Sequence, residues 1–179
     1  HGKLGKSLAD AVIQDKAVKV GILSGNQSQL GMRQRLKSVK DNLAEAGIEI
    51  SWILSEKELD KKMRNVEYFT ENPVDAVISL ENDDTEKAVD IILNHDSISW
   101  KLYGEGRSEK LIYYLDKGTI QELAVPNEYY MGYQSIVLAA QNIRYYTDKT
   151  ERADVEFYMV SKDNLYAEET SRILFPTVR

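Results

Sequence analysis

Cysteine is absent from this chain of 179 residues, and histidine occurs only twice. Without cysteine the chain has no disulfide, no thiolate metal site and no cysteine nucleophile. His1 and His95 lie far apart in the sequence, which argues against a histidine-based metal or catalytic site. We therefore predict neither a bound metal nor a cofactor.

Positive charge is in short supply as well, because 23 Lys and Arg residues face 29 Asp and Glu residues, for a net charge of −6. A nucleic-acid surface needs a basic face, so no nucleic-acid contact is predicted. No run of apolar residues approaches the length of a membrane span. Hydrophobic residues make up 42% of the chain and charged residues 29%, a composition typical of one globular domain of this length.

The apolar pattern alternates between the period of a strand and the period of a helix along most of the chain. Strands are predicted at 18–23, 48–54, 74–80, 99–103, 119–125 and 154–161. Helices are predicted at 4–15, 29–46, 56–72, 84–95, 128–146 and 166–173, with one more between the fourth and fifth strands. This alternation requires crossover connections, which predict an α/β fold with a doubly wound parallel sheet of about five strands.

Ligands of an open parallel sheet meet the loops at the carboxyl ends of its strands. One such loop, Gly104-Glu105-Gly106, looks at first like the turn of a dinucleotide-binding site. The third glycine of that motif is missing, because Glu109 stands in its place, and the Glu105 carboxylate would repel a pyrophosphate. The loop is therefore predicted to offer a carboxylate rather than to hold a phosphate.

Two further loops carry polar side chains. Asp83 or Asp84 is predicted to be the N-cap of the helix that follows, which leaves Asn82 to face the cleft. Arg33 lies in the first turns of another helix, where a cation opposes the helix dipole. Arg33 is thus a candidate for ligand contact, and a solvated helix face is the open alternative.

The signatures of acyl-transfer and phosphoryl-transfer enzymes are missing from the sequence, which contains neither G-x-S-x-G nor a P-loop. A receiver domain would need an acid pair after the first strand, and none is present. The sequence therefore favours binding over catalysis, and no enzyme activity is predicted.

Five segments, taken in order, resemble the second lobe of type I periplasmic sugar-binding proteins and LacI-type regulators. They are GILSGNQSQLGMRQRLKSV, AVISLENDDTEKAV, LYGEGRSEKLIYYLDKG, LDKGTIQELAVPNEYYMGYQSIVLA and VEFYMVSKDNLY. Ser38 replaces a glycine of the family pattern, Glu105 replaces an aspartate, and Pro126 falls where glutamine is common. The resemblance covers nearly the whole chain and implies a single lobe of the periplasmic-binding-protein-like I fold.

The resemblance also implies a site for a sugar or sugar-like small molecule. Glu105, Arg33 and Asn82 are its predicted central contacts, with Asp83 and Gln27 as further ones. A carboxylate, a guanidinium and an amide can together satisfy adjacent sugar hydroxyls.

Because the family has two lobes, the resemblance implies a division of this chain. Residues 1–17 are interpreted as the remnant of an N-terminal-lobe helix, 18–149 as the C-terminal sugar-binding lobe, and 150–179 as a crossing strand and tail. On this interpretation the helix at 4–15 and the strand at 154–161 have lost their partners. We then expect both to pack against a second copy or to be poorly ordered.

The implied function is that of an extracytoplasmic solute-binding protein that serves ABC transport or a surface sensor. The alternative is the effector domain of a cytoplasmic LacI-type regulator. The predicted partners are the N-terminal lobe of the same protein and an ABC permease or sensor, with self-association as a further candidate. The ending VSKDNLYAEE is closer to that of the exported group.

Overall fold

One mixed sheet forms the centre of the computed structural model, which describes residues 1–145 and 156–175. Its strands are β1 (Lys19–Leu23), β2 (Glu49–Leu54), β3 (Ala76–Ser79), β4 (Lys101–Glu105), β5 (Ile120–Pro126) and β6 (Phe157–Ser161). They are ordered β2-β1-β3-β4-β5-β6, and the first five run parallel. The predicted doubly wound parallel sheet is therefore confirmed, and β6 adds an antiparallel strand beside β5.

Helices cover both faces of this sheet. They are α1 (Gly2–Gln14), α2 (Leu30–Glu45), α3 (Glu56–Lys62), α4 (Glu67–Glu71), α5 (Asn82–Asn94), α6 (Glu109–Asp116), α7 (Glu128–Tyr145) and α8 (Glu168–Leu174). The single helix predicted at 56–72 is two helices, because the Asn65 amide donates to the Lys62 carbonyl in a turn that ends the first one. Among the described residues, no helix has both the length and the hydrophobicity needed to cross a membrane.

Helix α5 begins two residues earlier than its predicted start. Glu81 is its N-cap, with an extended backbone (φ −143°, ψ 144°) and a carbonyl that accepts the Thr85 amide. Asn82, Asp83 and Asp84 therefore belong to the first turn. The prediction that Asp83 or Asp84 is the N-cap is wrong, because the chain turns into the helix as soon as it leaves β3.

The sheet separates two apolar cores. The core on one face contains side chains of α1 and α2, among them Leu8, Val12, Val39 and Leu43. The core on the other face is rich in aromatic rings, and Trp52, Phe69 and Trp100 pack there with ring centroids 5.0 to 5.9 Å apart. With both faces covered, the central strands are buried almost continuously, as is usual in parallel sheets.

Helix α1 packs within this chain. Its apolar side chains are buried against α2 and the sheet, namely Leu4, Leu8, Ala9 and Val12. Gly5 lies so close to α2 that a Cβ there would come within 2.5 Å of the Arg35 carbonyl oxygen. The expectation that this helix has lost its partner is wrong, because its apolar face is buried here. The division of the chain at residues 17 and 149 stays a prediction.

The C-terminal segment also packs onto the sheet. β6 pairs with β5 from Phe157 to Ser161, and Val160, Leu165 and Leu174 are buried in the aromatic-rich core. The expectation of an unpartnered strand is therefore wrong as well. The predicted boundary at 149–150 and the first residues of the predicted strand at 154–161 lie outside the described residues.

Helix α7 differs from the others because no side chain described in it is buried. Tyr129, Tyr133, Ile136 and Ile143 follow one another at spacings of four, three and seven residues, which places them on one face of the helix. They are 83%, 56%, 72% and 77% exposed. An apolar stripe of this kind is typical of a surface that another helix or domain covers.

Candidate functional site

The carboxyl ends of β1, β3 and β4 bring three loops to one edge of the sheet. After β1 the chain passes to β2 on one side, whereas β3 lies on the other side of β1. The order of the strands therefore reverses between β1 and β3, and such a point opens a crevice in doubly wound sheets. The loops beside it are 24–29, 80–81 and 106–108.

A buried ion pair lies at this edge. Glu105 is the last residue of β4, and its Oε2 atom is 3.5 Å from an Arg35 terminal nitrogen of α2. The Glu105 and Arg35 side chains are only 12% and 8% exposed. The same terminal nitrogen donates a 2.6 Å hydrogen bond to the Leu80 carbonyl, and the Arg35 Nε donates to His1 Nδ1 at 3.2 Å. The guanidinium is therefore held in place independently of the carboxylate.

Burial and three neighbouring charged groups together set the pKa of the Glu105 carboxyl group. Burial raises the pKa of the Glu105 carboxyl above its ordinary value, and the Arg35 guanidinium opposes this rise. The carboxylates of Glu81 and Glu128 raise the pKa further. A hydrogen-bond donor placed against Glu105 would replace lost water, and such charge-assisted bonds are strong in partly dry sites.

Arg35, and not Arg33, is the arginine that contacts Glu105. Arg33 is exposed, and one of its terminal nitrogens donates to the carbonyls of Gln27 and Ser28 at 3.0 and 2.7 Å. Arg33 thus holds the loop that precedes its own helix. Whether Arg33 also contacts a ligand stays a prediction.

Helical spacing explains why the structure selects Arg35. Position 35 lies three residues after the buried Met32 and four residues before the buried Val39, so it shares their face. Leu30, in the first turn of the same helix, is by contrast 61% exposed.

Asn82 lies next to the loop that follows Glu105. Its Oδ1 accepts the backbone amide of Arg107 at 3.2 Å. Gly106 has a φ of +145°, and a Cβ at this glycine would collide with the same Oδ1. The structure therefore brings Asn82 and the Glu105 loop together, whereas Gln27 lies on the 24–29 loop and is contacted there by Arg33 of α2.

The two other predicted contacts are less constrained. Asp83 is exposed, with the Asn82 side-chain amide 3.3 Å from its carboxylate. Gln27 is half-buried, and its side-chain amide donates to the Ser24 carbonyl. In the part of the chain that the structure describes, no group of three or more His, Asp and Glu side chains is placed to hold a metal ion.

Asp84 is a second buried acid, on the side of α5 that faces α3. It is fully buried, and neither carboxylate oxygen has a hydrogen-bond partner among the described residues. Lys87 lies 3.6 Å from Asp84 and 2.7 Å from Asp60 of α3. Burial raises the pKa of Asp84 to about 6, which Lys87 opposes and the carboxylates of Glu81 and Glu56 reinforce.

The chain matches the family model described as the periplasmic binding protein domain, over residues 2–146. That span is most of the chain, so this protein belongs to the periplasmic binding protein family. The resemblance found in the sequence is thereby confirmed. No curated protein matches the chain.

Solved structures of low sequence identity share the fold. A carbohydrate transporter solute binding protein from Agrobacterium radiobacter, in complex with D-arabinose, has a TM-score of 0.84 at 19% identity, over 97% of this chain and 63% of that one. A Caulobacter myo-inositol binding protein bound to myo-inositol has a TM-score of 0.80 at 18% identity, over 94% and 60%. A protein assigned as a LacI transcriptional regulator from Bacteroides fragilis has a TM-score of 0.75 at 15% identity, over 92% and 60%. This chain therefore spans 60 to 63% of the length of these three proteins.

Replacing Arg35 by methionine should strongly destabilise the fold, because it leaves the buried Glu105 carboxylate without its counter-ion. We expect a loss of about 3 kcal/mol in the free energy of unfolding at pH 7, measured by urea denaturation. The loss should shrink as the pH falls, because protonation of Glu105 removes the unpaired charge. Lys40→Met, at an exposed position of the same helix, is the matched control and should change stability by less than about 0.5 kcal/mol. Equal effects of the two variants would contradict a buried ion pair.

Asp84 should make the protein more stable as the pH falls from 7 towards 4. The pKa of Asp84 is about 6 in the folded state, against an ordinary value of 3.8, so between these values the folded state binds more protons than the unfolded state. In Asp84→Asn this contribution is lost, so its free-energy difference from wild type should change by about 2 kcal/mol over that range. Asp83→Asn, at an exposed position, is the control. A difference that does not vary with pH would show that Asp84 titrates normally.

Proposed function

We propose that this chain is the ligand-binding part of a solute-binding protein whose ligand is a sugar or a sugar-like polyol. The buried Arg35–Glu105 pair, at the reversal point of the sheet, is the observation that carries the proposal. A buried carboxylate accepts hydrogen bonds from hydroxyl groups, and a guanidinium donates to hydroxyl oxygens. Neighbouring hydroxyls on one ring suit both groups at once.

Other residues of this edge complete the proposed site. Asn82 offers a polar side chain beside the loop that follows Glu105, and Gln27 of the 24–29 loop is a further candidate contact. Arg33 and Asp83 are candidate outer contacts because both are exposed. The family, and neighbours named for arabinose and inositol, support a polyhydroxylated ligand.

The proposed biological role is delivery of the ligand to an ABC permease or to a sensor, outside the cytoplasm. The second candidate is the effector domain of a LacI-type regulator in the cytoplasm, which the Bacteroides fragilis neighbour supports. An enzyme is not proposed. The natural gene distinguishes the two candidates, because an export signal in its product supports the first role and a helix-turn-helix supports the second.

Substitution of Glu105 tests the proposed site. In the protein with its full natural sequence, Glu105→Ala should weaken the binding of D-arabinose or myo-inositol by about 1.5–3 kcal/mol, as expected for a hydrogen bond to a charged group. Titration calorimetry measures the change. Glu109→Ala, at an exposed position of the adjacent helix, should leave the affinity unchanged. Unchanged affinity in a folded Glu105→Ala protein would remove Glu105 from the site.

The same titrations should depend on pH. Binding needs the ionised carboxylate, so the affinity should fall as the pH drops through the pKa of Glu105. Because that pKa is raised, the loss should begin at a higher pH than the ordinary glutamate value of 4.5 implies. A Glu105→Gln protein should lack this acid limb.

We also propose that the exposed stripe of α7 (Tyr129, Tyr133, Ile136 and Ile143) contacts a second lobe of the same protein. This chain covers 63% and 60% of the length of two neighbours, and the remaining length of such proteins is enough for a further lobe.

Without such a lobe, the stripe should make the 179-residue chain self-associate at high concentration, as detected by light scattering. Ile136→Asp should suppress the association, whereas Ser135→Asp, one residue away, should not. A monomer at every concentration would contradict this role for the stripe.

A further inference from the structure

Three consecutive residues at the junction of β3 and α5 contact helix α2 and the two other loops of the candidate site. The Leu80 carbonyl accepts from Arg35 at 2.6 Å, as described above. The Glu81 carboxylate accepts the backbone amide of Asn26 at 3.0 Å. The Asn82 Oδ1 accepts from the loop that follows Glu105. The segment 80–82 is therefore the common support of the site.

The side chain of Glu81 behaves unlike that of a usual N-cap residue. It makes no hydrogen bond to the first turn of its own helix. Instead, it reaches across the reversal point of the sheet to a loop 55 residues away in the sequence. An acidic residue at this position could have stabilised α5 through the helix dipole alone, but the carboxylate oxygen points to the Asn26 amide instead.

Gly25 shows how closely the two segments approach. A Cβ at this position would lie 2.6 Å from Glu81 Oε2 and 3.1 Å from Glu81 Cβ. Gly25 also has a φ of +64°, a conformation that favours glycine. The backbone of the loop therefore packs directly against the Glu81 side chain at Gly25, and Gly25 is buried by this contact.

Beyond this contact the loop is held by its own side chains, by Arg33 and by the end of β2, where the Leu54 carbonyl accepts the Ser24 amide at 2.8 Å and the Ser24 hydroxyl at 3.1 Å. The Asn26 Oδ1 accepts from the Ser28 amide at 3.0 Å and from the Ser28 hydroxyl at 2.7 Å. Arg33 binds the Gln27 and Ser28 carbonyls from the other side. The Glu81–Asn26 hydrogen bond is the contact that joins this preorganised loop to the β3–α5 junction.

We propose that Glu81 is a positioning residue of the ligand site, which holds the 24–29 loop, and with it Gln27, against the segment 80–82. As regards the ligand, this inference rests on the proposed function. The position of the loop does not depend on any ligand and can be tested by itself.

Two substitutions of Glu81 separate its hydrogen bond from its charge. Glu81→Ala removes both, whereas Glu81→Gln keeps an oxygen that can accept the Asn26 amide proton. We expect amide hydrogen exchange of Asn26, followed by NMR, to be on the order of tenfold faster in Glu81→Ala. In Glu81→Gln it should stay within about threefold of wild type. Core amides such as that of Ile22 report global unfolding in each protein.

Gly25→Ala is an independent second variant. The added Cβ would displace the Glu81 carboxylate, so Asn26 exchange should accelerate although Glu81 itself is intact. Glu128→Gln is the matched charge control, because Glu128 also faces Glu105 but bonds to Arg107 at 3.1 Å. It should leave Asn26 exchange unchanged.

Binding of D-arabinose or myo-inositol gives the functional readout. Glu81→Ala should weaken the affinity on the order of tenfold, and Glu81→Gln by less than about threefold at pH 7. Both Glu81→Gln and Glu128→Gln remove a negative charge near Glu105, so both should move the acid loss of binding to lower pH. Because both variants share that shift, it reports the lost charge, whereas recovery of the affinity in Glu81→Gln at pH 7 reports the positioning role of Glu81.

Asn26 exchange that is unchanged in Glu81→Ala would overturn the proposal. Equal acceleration in Glu81→Ala and Glu81→Gln would overturn it too, because charge rather than the accepting oxygen would then hold the loop. If the wild-type protein binds neither sugar, the proposed function loses its support, whereas the exchange measurements still decide the role of Glu81.

Discussion

The burial of a guanidinium beside a carboxylate is the constraint on which this site depends. An isolated charge taken out of water costs several kcal/mol, and a buried pair recovers that cost only when further hydrogen bonds satisfy it. Arg35 meets this requirement through the Leu80 carbonyl, so the ion pair extends from α2 across β3 to β4. The close packing of α1 on α2 at Gly5 then fixes the backbone that carries Arg35.

The topology of the sheet explains why polar groups collect at this edge. Parallel strands all end on the same side, and the reversal between β1 and β3 separates the loops that would otherwise fill the space. Glu81 spans this gap through the Asn26 amide, and Gly25 allows the approach. The loops of this edge are therefore joined to one another by hydrogen bonds and are not independent.

A transporter-linked binding protein and a regulator can share such a site, because both need only a selective small-molecule contact. A fold identifies a scaffold, and its role depends on what the scaffold is attached to. The surface that we propose for contact with a second lobe is the apolar stripe of α7, whose Ile136 and Ile143 side chains are largely exposed. Burial of those side chains by a partner would release ordered water and stabilise the assembly.

The apolar pattern of the sequence, which alternates between the period of a strand and the period of a helix, by itself predicted the strands and the parallel sheet. It thereby also identified the loops at the carboxyl ends of the strands, where a ligand site is expected. It also placed Glu105 in the loop that follows the predicted strand at 99–103, whereas the structure extends β4 to Glu105 itself. The choice of Arg35 over Arg33, the position of Glu81 as N-cap and the burial of α1 were decided by the tertiary structure. These features depend on which face of a helix meets the sheet and on contacts between segments far apart in the chain. Neighbouring positions on a helix point about 100° apart, so the packing of Arg35 on the buried face with Met32 and Val39 leaves Arg33 exposed.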